Sequence, residues 1–224
     1  MSSLAIIPAR GGSKRLKRKN ILDFHGLPII SYTIKAALNS SCFDRIVVTT
    51  DDKEIFEISS NFHNDVVLRP KNLAGDDITI VDVCDNFLKK ELTENKKSYD
   101  FLTVLYPTAP MRTSQDIINV VNNLEKGYTS SLAVTTFSLP VHQALIIENG
   151  KTKKIFPEIY DYNDNKIPKY YVDNGSTYSI YVKEFNNKKN LITDNLGLHI
   201  MPPERSIDID TSFQLDLARY LYKK

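Results

Sequence analysis

Short apolar runs alternate with segments of helical periodicity along most of this chain. Apolar runs that end in proline or polar residues predict buried strands at residues 4–8, 45–50, 65–70, 101–107 and 131–137. Apolar residues at helical spacing predict intervening helices at residues 30–38, 53–62, 79–92 and 114–126, the last with a serine cap and Gly127 as its stop. Because helices usually connect parallel strands, this alternation predicts an α/β fold whose mostly parallel sheet is covered by helices on both faces.

The alternation changes after about Pro140. Residues 142–151 are typical of a hairpin arm, whereas residues 156–171 are rich in Tyr, Asn, Asp and Lys and form either a loop or an arm that packs on another subunit. Residues 176–182 predict a strand, residues 197–211 predict a strand with a polar turn, and residues 212–222 predict a closing helix capped by Thr211 or Ser212. No linker divides the chain, so we expect a single domain over residues 1–224.

Composition excludes several classes of protein. The 224 residues carry a formal net charge of only +2, and a dedicated nucleic-acid binder usually has a strong basic excess, so no nucleic-acid partner is expected. The two cysteines fit neither a metal site nor a disulfide framework, which favours a reducing cytoplasm. No apolar run approaches the length of a membrane span, and no membrane partner is expected.

Positive charge is concentrated directly after the first predicted strand. Five of the six residues from Lys14 to Lys19 are basic, and Gly11 and Gly12 precede them. In an open α/β sheet, ligands bind at the carboxyl ends of the strands, where glycines let backbone N–H groups approach an anion. Arg10, Lys14 and Lys19 would then neutralise a phosphate group.

A basic run by itself is more often a solvated surface, and this one also matches a nuclear-localisation or nucleic-acid patch. Its position at the ligand-binding edge counts against both interpretations. The segment matches neither the Walker A motif nor the GxGxxG fingerprint, so neither a P-loop nor a dinucleotide fold is supported.

An aspartate pair precedes the closing helix. If residues 206–211 are extended, Asp208 and Asp210 point to the same face and form a compact oxygen site suited to Mg²⁺. The alternative is an exposed strand edge that ends in a helix cap, and a DxD pattern by itself does not decide between the two.

Six segments, taken in order, resemble one family of enzymes. Residues 7–20 (IPARGGSKRLKRKN) resemble the N-terminal signature of the acylneuraminate cytidylyltransferases, also called CMP-sialic acid synthetases. Further similar segments follow in the same order as in that family: VVTTDD at 47–52, LRPKNLAGDD at 68–77, LYPTAPMR at 105–112, DNGSTY at 173–178 and SIDIDT at 206–211. Together they span nearly the whole chain.

The resemblance implies a fold and a reaction. The fold is a Rossmann-like nucleotidyltransferase domain with an inserted dimerisation arm, here at about residues 140–175, and the assembly is a homodimer. The reaction joins CTP to a nine-carbon α-keto sugar acid with Mg²⁺ as cofactor, releasing pyrophosphate. Candidate sugars are N-acetylneuraminate, its deaminated analogue KDN, legionaminate and pseudaminate.

The resemblance also implies roles for individual residues. Asp208 and Asp210 would bind the metal and, with Arg10 and Lys19, would form the catalytic set. The nucleotide-binding residues would be Ala9, Arg10, Gly11, Gly12, Ser13, Lys14, Lys19, Asn20, Arg69 and Thr79. The sugar-binding residues would be Tyr106, Thr108, Asn174 and Tyr178.

The chain departs from the family pattern at several of these segments. Arg15 stands where glycine is common, Ile80 where serine is common, Tyr106 where glutamine is common, and Val172 and Asp173 where arginine and proline are common. The departures near the sugar leave its identity open.

Other residues and other functions stay open at this stage. Arg112 either binds an acidic group or holds its loop, and Arg15, Lys17 and Arg18 are expected to face solvent. The rival functions are an eight-carbon Kdo cytidylyltransferase and a catalytically silent nucleotide-binding homologue.

Overall fold

The computed structural model describes residues 1–222, which form eleven strands and six α-helices. The strands are β1 (Ser3–Ala9), β2 (Asp23–Phe24), β3 (Leu27–Pro28), β4 (Arg45–Thr50), β5 (Val66–Leu68), β6 (Phe101–Leu105), β7 (Ser130–Thr136), β8 (Leu145–Glu148), β9 (Lys151–Lys154), β10 (Tyr171–Tyr181) and β11 (Leu196–Ile200). The helices are α1 (Ile29–Ser40), α2 (Lys53–Ser60), α3 (Ile80–Thr93), α4 (Ser114–Glu125), α5 (Val182–Lys188) and α6 (Ser212–Leu221).

Seven of these strands form one central sheet in the order β11–β7–β10–β6–β1–β4–β5. Strand β10 runs antiparallel to both of its neighbours, whereas the other neighbouring pairs are parallel. The mostly parallel sheet predicted from the sequence is therefore confirmed. The connections β1–α1–β4 and β4–α2–β5 have the strand–helix–strand form that parallel pairing requires.

Helices cover both faces of the sheet. On one face, Ile30 and Ile34 of α1 and Ile117 of α4 pack with the β1 residues Ala5 and Ile7. On the other face, the apolar residues of α3 and α5 pack with alternate residues of the same strand; they include Cys84, Phe87, Leu88 and Phe185, with Leu4 and Ile6 from β1. Because successive side chains of a strand point to opposite faces, an unbroken apolar strand such as β1 serves both cores.

Most predicted elements lie within a few residues of their positions in the structure. Helices α3, α4 and α6 begin at capping boxes formed by Thr79, Thr113 and Thr211. The predicted serine cap of α4 is wrong by one residue, because the Thr113 hydroxyl accepts the hydrogen bond from the Asp116 N–H. Pro28 immediately precedes α1, where its fixed φ angle suits the start of a helix.

Three features of the last third of the chain differ from the sequence-based expectation. Residues 206–210 are not a strand, because β11 ends at Ile200. Pro202 and Pro203 follow it, and neither has a backbone N–H that could continue the hydrogen bonds of the sheet. Helix α5 was not predicted, because its seven residues are too few to show a clear period. Strand β10 also begins earlier than residue 176, at Tyr171.

The predicted hairpin is confirmed as the antiparallel pair of β8 and β9. All eight residues of these two strands are exposed. Between residues 155 and 170 the described chain contains turns and a short 3₁₀ segment at Asp164–Lys166, but no strand or α-helix. Within residues 1–222, no helix is both long and apolar enough to cross a membrane.

Candidate functional site

A cleft of about 490 Å³ lies where the carboxyl ends of β1, β5 and β6 meet the middle of β10. Eleven of the residues proposed from the sequence line it: Arg10, Ser13, Lys19, Asn20, Arg69, Thr79, Tyr106, Thr108, Tyr178, Asp208 and Asp210. Five do not line it: Ala9, Gly11, Gly12, Lys14 and Asn174. This volume is within the range of small-molecule sites in proteins. We call it the first cleft.

The glycine pair shapes the loop that follows β1. The Gly11 N–H donates to Asp51 Oδ1 at 3.2 Å, and a Cβ atom at Gly11 would lie only 2.6 Å from Asp52 Oδ2. A side chain at this position would therefore displace the loop from the end of β4. Asn20 fixes the other side of the loop, since its amide donates to the Arg10 carbonyl at 2.9 Å.

Four cations of the loop contact carboxylates that line the first cleft, and three of these cations, Arg10, Arg15 and Lys19, line the cleft themselves. Lys19 Nζ lies 2.5 Å from Asp210 Oδ1, and an Arg15 guanidinium nitrogen lies 2.6 Å from Asp210 Oδ2. Lys14 Nζ lies 2.5 Å from Asp76 Oδ2, and Arg10 lies 3.4 Å from the other oxygen of Asp76. These oxygens occupy the positions that anionic phosphate oxygens would take beside the same cations.

Two outer cations of the basic run, both expected to face solvent, also pair with carboxylates. The Arg15 side chain is 70% exposed, as predicted, and its guanidinium also reaches the first cleft and contacts Asp210. Arg18 turns away from the cleft and pairs with Asp52 and Glu54, and these carboxylates raise its pKa further. Sequence spacing alone does not distinguish them, because Arg18 adopts a left-handed backbone conformation that redirects the chain.

The two aspartates lie on an irregular segment that is held at both ends. The Ile209 N–H donates to the Thr108 carbonyl at 3.0 Å, and the Gln214 side chain accepts from the N–H of Asp210 at 2.9 Å. Buried Ile209 points into the core under α6, so Asp208 and Asp210 both line the cleft. The shared direction of the two carboxylates is thus obtained without the predicted strand.

Asp208 has fewer stabilising partners for its negative charge than Asp210 has. Its Oδ1 atom is buried and has no hydrogen-bond partner among the described residues. Burial raises the pKa of Asp208 above its ordinary value, and the charge of Asp210 adds to this, while the Thr108 hydroxyl and Lys19 partly oppose it.

The aspartate pair fits a magnesium ion. Asp208 provides an unpartnered oxygen ligand, and Asp210 provides a second carboxylate. Residues 1–222 contain no group of three or more His, Cys, Asp or Glu side chains placed to enclose a metal. Two carboxylates still suit Mg²⁺, which keeps several waters and commonly completes its coordination with substrate phosphates.

Tyr106 and Tyr178 form the wall opposite the basic loop. Their rings meet edge to face with centroids 5.8 Å apart, and the Tyr178 hydroxyl donates to Asp173 at 2.7 Å. Burial raises the pKa of both tyrosines, and the nearby carboxylate of Asp173 adds to the effect. Both hydroxyls therefore stay protonated at neutral pH. Tyr106 can donate a hydrogen bond to a ligand, whereas the single proton of Tyr178 is directed at Asp173 and leaves its oxygen as an acceptor.

Arg112 holds together the carboxyl edge of the sheet beside the first cleft. Its buried guanidinium donates to the Ser176 carbonyl at 2.6 Å, to the Tyr106 carbonyl at 3.3 Å and to the Thr33 hydroxyl at 2.7 Å. Burial lowers its pKa to about 9. Of the two roles left open by the sequence, the structure favours holding the loop, because the side chain joins β6, β10 and α1.

Other candidate residues are also engaged in contacts within the protein. Asn174 is buried beside Met201 and Ser206 and lines a neighbouring cleft. Thr79 caps α3, and Arg69 donates to Asp51 Oδ1 at 3.1 Å. Arg69, which follows β5, and Thr79, at the start of α3, line the first cleft, whereas Asn174 of β10 does not.

Asp76 and Gly175 also line the first cleft, although neither is among the site residues predicted from the sequence. Asp76 lies in the LAGDD turn, and Gly175 follows Asn174 with a φ angle of +65°. A Cβ atom at Gly175 would lie 2.9 Å from Asp208 Oδ2. Both residues lie in motifs that are recognised in the sequence. Their roles depend on contacts with distant parts of the chain, Asp76 with Arg10 and Lys14, and Gly175 with Asp208.

Known proteins similar to this chain include several cytidylyltransferases. The pseudaminic acid cytidylyltransferase of Campylobacter jejuni serotype O:2 is 34% identical, covering 100% of this chain and 97% of that protein. The CMP-N,N'-diacetyllegionaminic acid synthase of Legionella pneumophila is 34% identical, with 99% and 96% coverage. The N-acylneuraminate cytidylyltransferase of Escherichia coli O18:K1:H7 is 33% identical over 99% of this chain, which spans 52% of that longer protein.

Comparison of structures gives the same fold. A CMP:2-keto-3-deoxy-manno-octonic acid synthetase complexed with CTP superposes with a TM-score of 0.71 at 18% identity, covering 99% of this chain and 98% of the other. The family model described as cytidylyltransferase matches residues 4–193. With that match and with relatives above 30% identity along its whole length, this chain belongs to the cytidylyltransferase family.

Proposed function

We propose that this protein transfers CMP from CTP to the anomeric hydroxyl of a nine-carbon α-keto sugar acid and releases pyrophosphate. The observation that carries the proposal is the first cleft, where Arg10 and Lys19 face the Asp208–Asp210 pair at the carboxyl edge of the sheet. In this arrangement the cations can bind a triphosphate, and the carboxylates can bind a metal ion next to it.

The chain's own residues would act mainly by electrostatics. As the hydroxyl attacks the α-phosphate, negative charge grows on the phosphate oxygens and on the departing pyrophosphate. Arg10, Lys14 and Lys19 are placed to bind those oxygens once the triphosphate replaces the carboxylates that they contact in the ligand-free protein. The Tyr106 hydroxyl would orient the sugar by donating a hydrogen bond, and the Tyr178 oxygen would accept one from a sugar hydroxyl.

Asp208 and Asp210 would hold Mg²⁺. When bound, the ion supplies positive charge to the phosphate oxygens and lowers the pKa of a nearby hydroxyl. The unpartnered Oδ1 atom of Asp208 supports this assignment, since a buried carboxylate oxygen without a donor costs free energy unless a ligand satisfies it.

The sugar that we favour is a diacylamino nonulosonic acid of the pseudaminic or legionaminic type. Two relatives at 34% identity are named for these acids. Tyr106 and Tyr178, with Ile78, Ile80 and Val83, also make one side of the first cleft apolar, which suits a deoxygenated sugar better than one rich in hydroxyls. N-acetylneuraminate is the next candidate, because a relative at 33% identity is named for it.

The direct test is pyrophosphate release with Mg²⁺ and CTP against a panel of α-keto sugar acids, with UTP, ATP and GTP as controls. We expect release with CTP and a nine-carbon acid, fastest with pseudaminic or legionaminic acid. Release with the eight-carbon acid alone would contradict the proposal in favour of a Kdo cytidylyltransferase. CTP binding without turnover of any acid would indicate a silent homologue.

We also propose that the hairpin is covered by a second copy of the chain. Leu145, Ile146 and Ile147 are consecutive exposed apolar residues of β8, and Leu139 nearby is 78% exposed. Because successive residues of a strand point to opposite faces, Leu145 and Ile147 share one face of the hairpin, and exposed apolar side chains of this kind are typical of an interface. The expected homodimer therefore stays a prediction with structural support, and the cytoplasmic location also stays a prediction.

A further inference from the structure

A second cleft of about 510 Å³ adjoins the first on the far side of Asp208. The two clefts share three residues, namely Gly175, Tyr178 and Asp208. A sugar whose reacting hydroxyl lies beside Asp208 therefore has two directions in which to extend. The triphosphate and base require the first cleft, where the cations are, so the end of the sugar remote from the reaction is directed into the second.

The lining of the second cleft combines apolar and hydrogen-bonding groups. Val172, Ile207 and Leu217 contribute apolar side chains. Thr135, Asp173 and Gln214 contribute polar groups beside them. An acylamino substituent has the matching composition, because it carries one N–H donor, one carbonyl acceptor and a small apolar group.

Asp173 is the only carboxylate besides Asp208 among the residues that line the second cleft. Its side chain accepts a hydrogen bond from the Tyr178 hydroxyl at 2.7 Å, and its Oδ1 atom accepts another from the Gly175 N–H at 2.9 Å. Within the described chain no lysine or arginine forms an ion pair with it. A carboxylate has about four lone-pair sites, so Asp173 retains capacity to accept a hydrogen bond from a ligand.

The charge of Asp173 restricts what can lie beside it. A phosphate or the sugar's own carboxylate would be repelled, whereas an N–H or O–H donor would be attracted. The hydrogen bonds from Tyr178 and Gly175 fix the direction of the carboxylate before the ligand arrives, which reduces the entropic cost of binding.

We propose that Asp173 is a specificity-determining residue, whose carboxylate accepts a hydrogen bond from the acylamino N–H of a nonulosonic acid extended into the second cleft. Val172, Ile207 and Leu217 receive the acyl group. The inference rests on the proposed function, and it adds that the acylamino group is the part of the sugar that Asp173 recognises. It also accounts for an acidic residue at a position where the resembling family commonly has proline.

The test compares Asp173→Ala with the unchanged enzyme on two substrates. One is the acylamino acid that the unchanged enzyme turns over fastest, and the other is its analogue with hydrogen in place of the acylamino group. We expect Asp173→Ala to reduce kcat/KM for the acylamino acid by about 10- to 100-fold, the range for a lost hydrogen bond to a charged group. The deoxy analogue and the KM for CTP should change by less than about 3-fold.

Asp173→Asn keeps an acceptor oxygen and should recover part of the loss. Asp194→Ala removes an exposed carboxylate outside both clefts and serves as the control, with no change expected for either substrate. In a Tyr178→Phe background, Asp173→Ala should still reduce kcat/KM for the acylamino acid, because Asp173 contacts the sugar itself.

Equal losses for both substrates would overturn the proposal, since Asp173 would then act only by holding Tyr178 or the backbone. The absence of any loss would overturn it as well. Calorimetry of the acylamino acid with protein, Mg²⁺ and a non-hydrolysable CTP analogue separates this inference from the proposed function. Binding that Asp173→Ala weakens supports the inference even without turnover, whereas no binding to the unchanged protein would overturn both.

Discussion

Asp208 and Asp210 are two residues apart, yet their carboxylates have different surroundings. Asp210 contacts Lys19 and Arg15, whereas Asp208 has a buried oxygen without a hydrogen-bond partner in the described chain. A buried acid whose pKa is raised is more costly to fold in its charged form than in its neutral form. At the residue scale, the group best placed to bind a metal is therefore also one that opposes folding.

Asp208→Asn should separate these two effects. We expect turnover to fall by at least about 100-fold, because a metal ligand is lost. The free energy of unfolding, measured in EDTA at neutral pH, should increase, since the folded-state pKa lies above the unfolded value and the charged form is disfavoured on folding. The increase should disappear as the pH falls below about 4, where the unfolded carboxyl is also protonated. A variant that is less stable at neutral pH would contradict this account.

Gly175 is the backbone position that lets Asp208 approach. Gly175→Ala should lose about 1–2 kcal/mol of stability through its positive φ angle, and turnover should fall about 10- to 100-fold as Asp208 is displaced. Gly127 also has a positive φ angle, but nothing lies within 4 Å of its added Cβ atom. Gly127→Ala should therefore reduce the melting temperature while leaving kcat/KM unchanged. Equal kinetic losses in the two variants would show that strain alone is responsible.

At the scale of elements, the N-terminus of α4 anchors the segment that carries the aspartate pair. Buried Asp116 accepts hydrogen bonds from the Thr113 N–H, from His199 of β11 at 2.9 Å and from Arg205. Burial alone would raise the pKa of Asp116, but the hydrogen bonds from His199, Arg205 and Thr113 outweigh it and hold the pKa well below its usual range. One carboxylate thus joins a helix, a strand and the turn that leads to Asp208.

Asp116→Asn should destabilise the protein by about 3 kcal/mol at neutral pH, because it leaves Arg205 without its partner. Since the folded-state pKa is depressed, this stabilisation is present above the unfolded pKa of about 3.9 and is lost as the pH falls toward the folded value. Urea unfolding at neutral pH and below about pH 4 measures both. Asp216→Asn, at an exposed pair on α6, should change stability little at either pH. A pH-independent loss in Asp116→Asn would contradict the charge-based explanation.

At the scale of the whole molecule, the sheet provides the site and the hairpin provides a surface. The clefts lie at one edge of the seven-stranded sheet, whereas β8 and β9 form a separate two-stranded sheet. An isolated hairpin of this kind has little stability in water by itself, which supports packing against another chain.

Ile147→Asp places a charge on the most exposed apolar residue of β8 and should shift the protein from dimer to monomer in sedimentation velocity. The reason is that burying an unpaired carboxylate in an apolar interface is unfavourable. Ile192→Asp, at an exposed isoleucine after α5, should leave the dimer intact. A monomeric unchanged protein would contradict the predicted homodimer, and dissociation by both variants would contradict its location at the hairpin.

The features predicted correctly from the sequence are those that depend on neighbours along the chain. The period of the apolar residues predicts where most helices lie, and Thr211 is one of the two caps predicted for α6, since both signals act within a few residues. The basic loop beside Gly11 directly follows β1. Its place at the ligand-binding edge of the sheet is therefore predictable from the end of that strand alone, without knowledge of distant contacts. The cytidylyltransferase family also follows from the order of short motifs.

The tertiary structure alone decided the rest, because long-range contacts outweigh local preference. The reversed direction of β10 depends on its pairing with β6 and β7. Arg15 and Arg18 have similar local sequence, yet Arg15 forms an ion pair with Asp210 and Arg18 forms one with Asp52. The sequence allows two roles for Arg112, and its buried hydrogen bonds to Ser176 and Thr33 favour the structural one. Side chains far apart in sequence compete for a few buried positions, and only the folded chain determines which of them meet.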